Sequence, residues 1–278
     1  MRRCLILSLF IALELAAAPG CKKSKPTQSD DASSDHAPAP VAGPKGGQSS
    51  GGQSSGTLSF AVQPIYPTSN SQLRQTSSNN LKQIGLAWMN FHDVMQGYPE
   101  GIYDKSGKKL GLSWRVAILP YIEQQKLYAQ FKLDEPWDSE NNKKLISQMP
   151  RTYAPPGGGG KPGFTYYRCA SGPGTILPPV PGGKPGQPAV GVKMFQIPDG
   201  TSNTITAFEA GEPVEWTRPD ELEFVPGKPL PMICGVFGDG MNVLFADGSA
   251  RFIKKTDFTP DVLKAMITTN GGEVVQLP

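Results

Sequence analysis

The side chains able to do chemistry are few and far apart. Asp199, Asp239 and Asp247 each precede a glycine, and hard cations favour oxygen-bearing turns of that kind. A calcium site needs several ligands in one compact array, however, and Asp199-Gly-Thr-Ser-Asn203 falls short of the EF-hand spacing. Turn chemistry explains all three aspartates more simply. His36 lies in a polar stretch without fixed partners, and His92 sits between Phe91 and Met95 at the margin of a helical apolar face. One such imidazole and two separated thiols, Cys169 and Cys234, do not make a zinc set. Gly157-Gly-Gly-Gly-Lys161 has the composition of a phosphate cradle, but Pro162 stands where Ser or Thr would hold magnesium, and the strand-to-helix context is lacking. No nucleophile elbow is marked either: the Gly-x-Ser-x-Gly pattern occurs only inside the Gly/Ser-rich repeat, at 47–51 and 52–56, away from any strand-to-helix turn. These residues predict no catalytic set, no metal and no cofactor, and so a protein that is not an enzyme.

Thiol chemistry is better marked near the amino terminus. Arg2 and Arg3 precede an apolar run from Leu5 to Ala18 that is too short to span a bilayer comfortably. The run closes on Ala16-Ala-Ala-Pro-Gly20 and Cys21, small residues where a signal peptidase must fit them and then a thiol. This is similar to a bacterial lipobox, with Ala18 where Leu is usual and with Glu14 and Pro19 atypical. The expectation is a signal peptide over residues 1–20 and lipidation of Cys21; ordinary signal cleavage and an uncleaved anchor are the alternatives. A thioether-linked diacylglycerol buries many CH₂ groups at about 0.8 kcal/mol each. The mature protein would then be held at a membrane of the cell envelope, facing the periplasm or the outside. Cys169 and Cys234 either pair, as thiols of exported proteins often do, or remain two buried free thiols. A bond over that span would contribute roughly 4 kcal/mol in the chain-entropy picture.

Residues 21–56 are dominated by Ser, Gly, Pro, Gln and Ala, including Gly46-Gly-Gln-Ser-Ser-Gly-Gly-Gln-Ser-Ser-Gly56. Such a segment cannot bury enough apolar surface to offset chain entropy, and it reads as a disordered tether. Its reach as a flexible coil is on the order of 30 Å. Residues 57–278 suffice for one domain with a sizeable core. The formal charge of +3 becomes +2 once Arg2, Arg3 and Glu14 leave with the signal peptide. Basic residues are dispersed among acids, which excludes a phosphate-tracking surface, and nucleic acid is not an expected partner.

Within this domain, Thr57–Gln63 alternates as a first strand or an extended lead-in would, and Pro64 and Pro67 break it. Leu81, Ile84, Trp88, Phe91 and Met95 recur at three- and four-residue steps and predict a helix over 71–95, with Asn80, Lys82, Gln83 and Asn90 turned away. Gly85 inside it implies the close approach of a neighbouring element. A helical pattern follows Pro120, with Ile122, Leu127, Tyr128 and Phe131 inward, and a shorter helix follows over 136–149 with Asp138 or Ser139 as its cap. Strands are expected at 164–169, 193–197, 204–209 and 232–237. Two apolar runs then meet at Asp247-Gly248, read as a two-residue type I′ hairpin turn. Thr259 and Pro260 open a last helix that ends before Gly271-Gly272, and 273–277 reads as a closing strand.

Four blocks carry a resemblance: Asn79-Asn-Leu-Lys-Gln-Ile-Gly-Leu-Ala87, Leu112-Ser-Trp-Arg-Val116, Asp199-Gly-Thr-Ser-Asn-Thr-Ile205 and Asn242-Val-Leu-Phe-Ala-Asp-Gly-Ser-Ala-Arg-Phe-Ile253. In them the chain resembles the bacterial domain of unknown function 1559 family (the SBP_bac_10 type), prepilin-like proteins with a C-terminal His-x9-Asp-Gly motif. The resemblance implies an α+β, pilin-like fold: one long N-terminal helix packed on a small antiparallel sheet, with extra short helices and long Gly/Pro loops. Two features depart from the family. A lipoprotein-like signal and a polar linker stand where a pilin leader would, and Phe237 occupies the place of the motif histidine. The expected role is a membrane-anchored, non-enzymatic module for surface assembly or for interaction with an envelope protein. The alternative is an extracytoplasmic binding protein for a glycan or peptide, with Trp114, Trp137, Trp216 and Tyr166 lining a cleft beside the Gly/Pro loops; the simpler account of the same four aromatics is that they fill the core.

Overall fold

A computed structural model describes residues 64–66, 70–230 and 236–271. Cys21, Cys234 and the expected strand at 57–63 lie outside those residues, as do most of the strand at 232–237 and the one at 273–277.

The long helix α1 (Ser71–Met95) forms as its periodicity predicts, with Leu81, Ile84, Trp88 and Phe91 buried. The Asn70 side chain caps it by accepting from the Gln72 N–H at 2.7 Å. Gln96 closes it in the left-handed conformation. Beyond it, β1 (Pro99–Tyr103) pairs antiparallel with β2 (Leu110–Ser113). The expected helix after Pro120 is instead a series of single turns: α2 (Trp114–Ala117), a 3-10 turn Leu119–Ile122, and α3 (Gln125–Tyr128). Glu123 adopts positive φ between the last two and breaks the run, although Leu127 and Phe131 are buried as expected. The 136–149 segment is a 3-10 helix over Asn142–Gln148, and Ser139 Oγ does accept a backbone N–H, that of Asn142.

The remaining strands are β3 (Phe164–Arg168), β4 (Ala170–Ser171), β5 (Pro188–Val190), β6 (Ile205–Glu215), β7 (Leu222–Glu223), β8 (Gly240–Phe245) and β9 (Ala250–Lys254); α4 (Pro260–Ile267) follows. They make an antiparallel sheet of order β3-β6-β8-β9, a second of order β2-β1-β5, and a parallel pair β4-β7. The expected strand at 193–197 is a 3-10 turn over Met194–Gln196, because Lys193 and Gln196 cap each other there and β5 already fills the sheet edge beside β1. Thr259 caps α4 through the Val262 N–H, as its sequence announces.

The four-stranded sheet is covered on both faces, and the period of two along its strands sorts residues between them. Ala207 and Leu244 turn toward α1, while Phe208, Met241, Val243 and Phe245 pack with Leu263, Met266 and Ile267 of α4. An α+β arrangement results, with the long helix laid on an antiparallel sheet.

At the tip of β8-β9 the turn differs from the type I′ expectation. Gly248 N–H donates to Phe245 O at 2.9 Å and Phe245 N–H to Ser249 O at 2.8 Å, so three residues, Ala246-Asp247-Gly248, form the loop. Only Gly248 needs positive φ (82°), and Asp247 does not share it. This is a type I turn closed by a glycine bulge. The tip is clamped by Ala246 N–H to Thr204 O (2.9 Å) and Asp247 N–H to Thr201 O (3.0 Å), so the two aspartyl-glycyl turns dock on one another. A Cβ on Gly85 would meet Leu244 Cδ1 at 2.7 Å and Gly248 O at 2.8 Å. The glycine is what lets α1 rest on the hairpin.

Candidate functional site

Among the described residues, none of those singled out for chemistry converges on a site. Asp247 Oδ1 accepts its own turn N–H from Ser249, and Asp199 accepts the Gly271 N–H. Asp239 pairs with Arg74 at 3.9 Å. Among the described residues no three Asp, Glu, His or Cys side chains stand close enough to hold a metal ion. His92 Nε2 accepts the Met194 N–H at 3.2 Å, which makes it a support for the 194–196 turn. Gly157 and Gly158 belong to a turn against Tyr66, whose hydroxyl donates to Pro156 O. Phe237, in the motif histidine's place, is buried between Tyr66 and Phe252. Trp114 and Trp216 are fully enclosed, joined through Tyr153, and so line no cleft; Trp137 and Tyr166 are half-buried.

One cavity of the described residues was not legible beforehand. It has a volume of about 440 Å³ and lies between β1, the 177–180 segment and the 219–223 segment that contains β7. Its lining includes four carboxylates, Glu100, Asp220, Glu221 and Glu223, and three prolines, Pro178, Pro179 and Pro219; it includes no Lys, Arg or His.

Local structure places each acid. On β1, Pro99 faces Val190 and Gly101 faces Ala189, so Glu100 is the extra residue of a β-bulge. Bulges re-aim side chains and occur beside functional sites. Here the bulge sinks Glu100 to 4% exposure against Gly191, where a Cβ would stand 2.9 Å from Glu100 Oε1. Glu100 Oε2 is buried and has no hydrogen-bond partner among the described residues. Burial pushes its pKa up to about 7.

Glu221 is the opposite case. Its Oε1 pairs with Arg115 Nη1 at 2.8 Å and accepts Trp114 Nε1–H at 3.0 Å, and Oε2 accepts the Cys169 N–H at 2.7 Å. Arg115 is fully buried, and its Nε and Nη2 donate to Tyr167 O at 3.0 and 2.7 Å. The Leu-Ser-Trp-Arg block thus locks the back of the cleft. Cys169 behind it is buried and has no disulfide partner among the described residues; burial and then the Glu221 charge push its thiol up. Asp220 is held by Arg218 at 2.9 Å and Arg168 at 3.5 Å. Glu223 is exposed at the rim, and like Glu100 it has no ion-pair partner among the described residues.

A family model described as "Protein of unknown function (DUF1559)", SBP_bac_10, matches residues 74–230, more than half of the chain. The chain belongs to this family. The match spans α1 from its first turn, the Leu-Ser-Trp-Arg block and every wall of the cleft, so the cleft is part of the DUF1559 region itself. Comparison with the curated proteins and with the solved structures gave no match. Two signals for the site were present in the sequence: an arginine inside the apolar run Leu112–Val116, and a glutamate wedged between Pro99 and Gly101.

Proposed function

We propose that this DUF1559 protein is a non-enzymatic, envelope-anchored lipoprotein whose pilin-like domain is an interaction module that engages its partner at the acidic cleft. The anchor reading rests on Cys21 directly after Ala16-Ala-Ala-Pro-Gly20 and on the Gly/Ser/Pro-rich stretch behind it. The interaction reading is carried by one observation, the buried Glu100 oxygen at the cleft with no partner among the described residues. A buried polar atom without a partner costs about 1–3 kcal/mol, and a ligand that completes it recovers that cost on binding.

Two measurements test the two halves. The intact mass of membrane-extracted protein should show a chain that begins at Cys21 and carries acyl groups; an unmodified chain with its first twenty residues intact overturns the anchor. A photo-crosslinking residue at Val180, on the cleft wall, should give adducts in living cells that the same residue at exposed Asp261 on α4 does not. Equal labelling at both positions overturns the cleft as the contact site.

A further inference from the structure

The geometry points to a primary ammonium group on an aliphatic stem as the ligand of this cleft, with Glu100 as its buried counter-ion and Glu223 as a rim charge. The inference rests on the cleft being the contact site and names the chemistry that would occupy it.

Three features of the lining argue for a donor-only cation. Proline has no backbone N–H, so Pro178, Pro179 and Pro219 add apolar wall without adding donors. The charged lining groups are all carboxylates. Of these, Glu221 and Asp220 already have Arg115, Arg168 and Arg218 opposite them, whereas Glu100 and Glu223 have no such partner among the described residues. An anion would meet repulsion on every side. A neutral hydroxyl compound could satisfy one oxygen but would leave the charge of the pair unanswered.

The form of the cation follows from the space. A divalent metal needs a compact shell of oxygen ligands, and no such group of acids exists among the described residues. An ammonium needs only a point contact, offers three donors, and buries its CH₂ stem against apolar surface. The Glu100 carboxylate, which lines the cleft, supplies the point contact, and Leu110, Leu177 and Val180 supply apolar surface for the stem. Gly191 is part of the same device: its missing side chain makes the room in which Glu100 lies.

Two sources share this chemistry, a free alkyl amine and a lysyl side chain of a peptide. Titration calorimetry of the lipidated full-length protein in detergent, with cadaverine and with an acetylated lysinamide as the two amine probes, tells them apart. n-Pentanol and glutarate serve as the uncharged and anionic counterparts. At least one amine should bind, and the tighter of the two names the source. Glu100→Gln should weaken that binding by about tenfold or more, the worth of a charge-assisted hydrogen bond. Glu223→Gln should weaken it by about threefold, in a salt-sensitive way, as a rim charge does. Asp261→Asn on α4 should leave it unchanged. Unfolding midpoints of the same variants separate a lost contact from a lost fold. The proposal is overturned if n-pentanol or glutarate binds as well as the amines, if no amine binds, or if folded Glu100→Gln retains wild-type affinity. Should the amines fail while the Val180 crosslink persists, the cleft remains the contact site and only its ligand chemistry is wrong. If both fail, both readings fall.

Discussion

Two buried glutamates in this protein have the same charge state problem and opposite solutions. Glu209 lies between α1 and the four-stranded sheet, Glu100 in the bulge of β1, and burial raises both to about 7. Around Glu209 the protein supplies the partners. Ser77 Oγ donates to Oε1, the Asn242 N–H and side-chain amide reach both oxygens, and Tyr167 and Asn80 extend the network. Around Glu100 it leaves an oxygen without one among the described residues. A buried carboxylate with both oxygens partnered specifies packing; one with an unpartnered oxygen stores a cost that something else can relieve. On the function proposed above, the first kind holds the fold and the second is kept for a ligand, and that distinction can be tested.

The largest expected effect lies with Glu221, whose counter-ion Arg115 is fully buried. Arg115→Met removes its buried counter-ion and leaves the charge desolvated, which should cost about 3–5 kcal/mol of unfolding free energy. Urea unfolding at neutral pH reads it. The double variant Arg115→Met/Glu221→Leu should recover much of that loss, because a buried pair is expensive to break and cheap to replace. If the single variant unfolds no more easily than wild type, the back of the cleft is not held by this pair.

The pH dependence of stability comes next. A carboxyl whose folded pKa lies above its unfolded value of 4.5 binds more protons in the native state between the two values, so stability falls as pH rises through that window. The contribution is whole below about pH 4.5 and gone above about 7, and for Glu209 it amounts to roughly 3 kcal/mol. Glu209→Gln cannot ionise and should flatten the fall by about that amount, leaving the share due to Glu100. Melting temperatures from pH 4 to pH 8 show this directly, and an unchanged slope would mean that Glu209 titrates as an exposed acid does.

Smaller still is the helix–hairpin contact. Gly85→Ala places a methyl within 2.8 Å of the Gly248 carbonyl. The backbone there cannot swing aside as a side chain could, so the cost should be about 1–3 kcal/mol despite the better helix propensity of Ala. A stabilised variant would show that the hairpin tip rides loosely on α1.

This contact also shows how much was legible in advance. Gly85 announced a close neighbour because nothing local favours glycine in a helix, and α4 was announced by Thr259 and Pro260. Local physics decided those elements. It did not decide the hairpin turn, where Asp-Gly suits two loop lengths and the clamp from Thr201 and Thr204 selects the three-residue one. Nor did it decide 193–197, whose apolar residues suit a strand but whose edge partner was taken by β5. The cleft was least legible of all. Glu100 and the 219–223 segment are more than a hundred residues apart, and long-range contacts bring them to one cleft: β1 with β5, β4 with β7, and Arg115 with Glu221. The tryptophans were open for a related reason: composition marks an aromatic as a candidate for core or for cleft alike, and packing alone chooses, here the core for Trp114 and Trp216.

The smallest expected stability effect belongs to the residue on which the proposed function rests. Glu100→Gln keeps the shape of the side chain and removes an ionisable group that has no partner among the described residues. At pH 8, where wild-type Glu100 is largely ionised, the substitution should change unfolding free energy by less than about 1 kcal/mol, or raise it, since a buried unpaired charge is relieved. Glu209→Gln is the internal control, for there the neutral side chain must fit a network with donors already fixed on both oxygens. Stability unchanged together with ligand affinity lost is the signature of a group retained for binding. A Glu100→Gln protein destabilised by several kcal/mol would instead make Glu100 a second Glu209, and the two regions would no longer differ in kind.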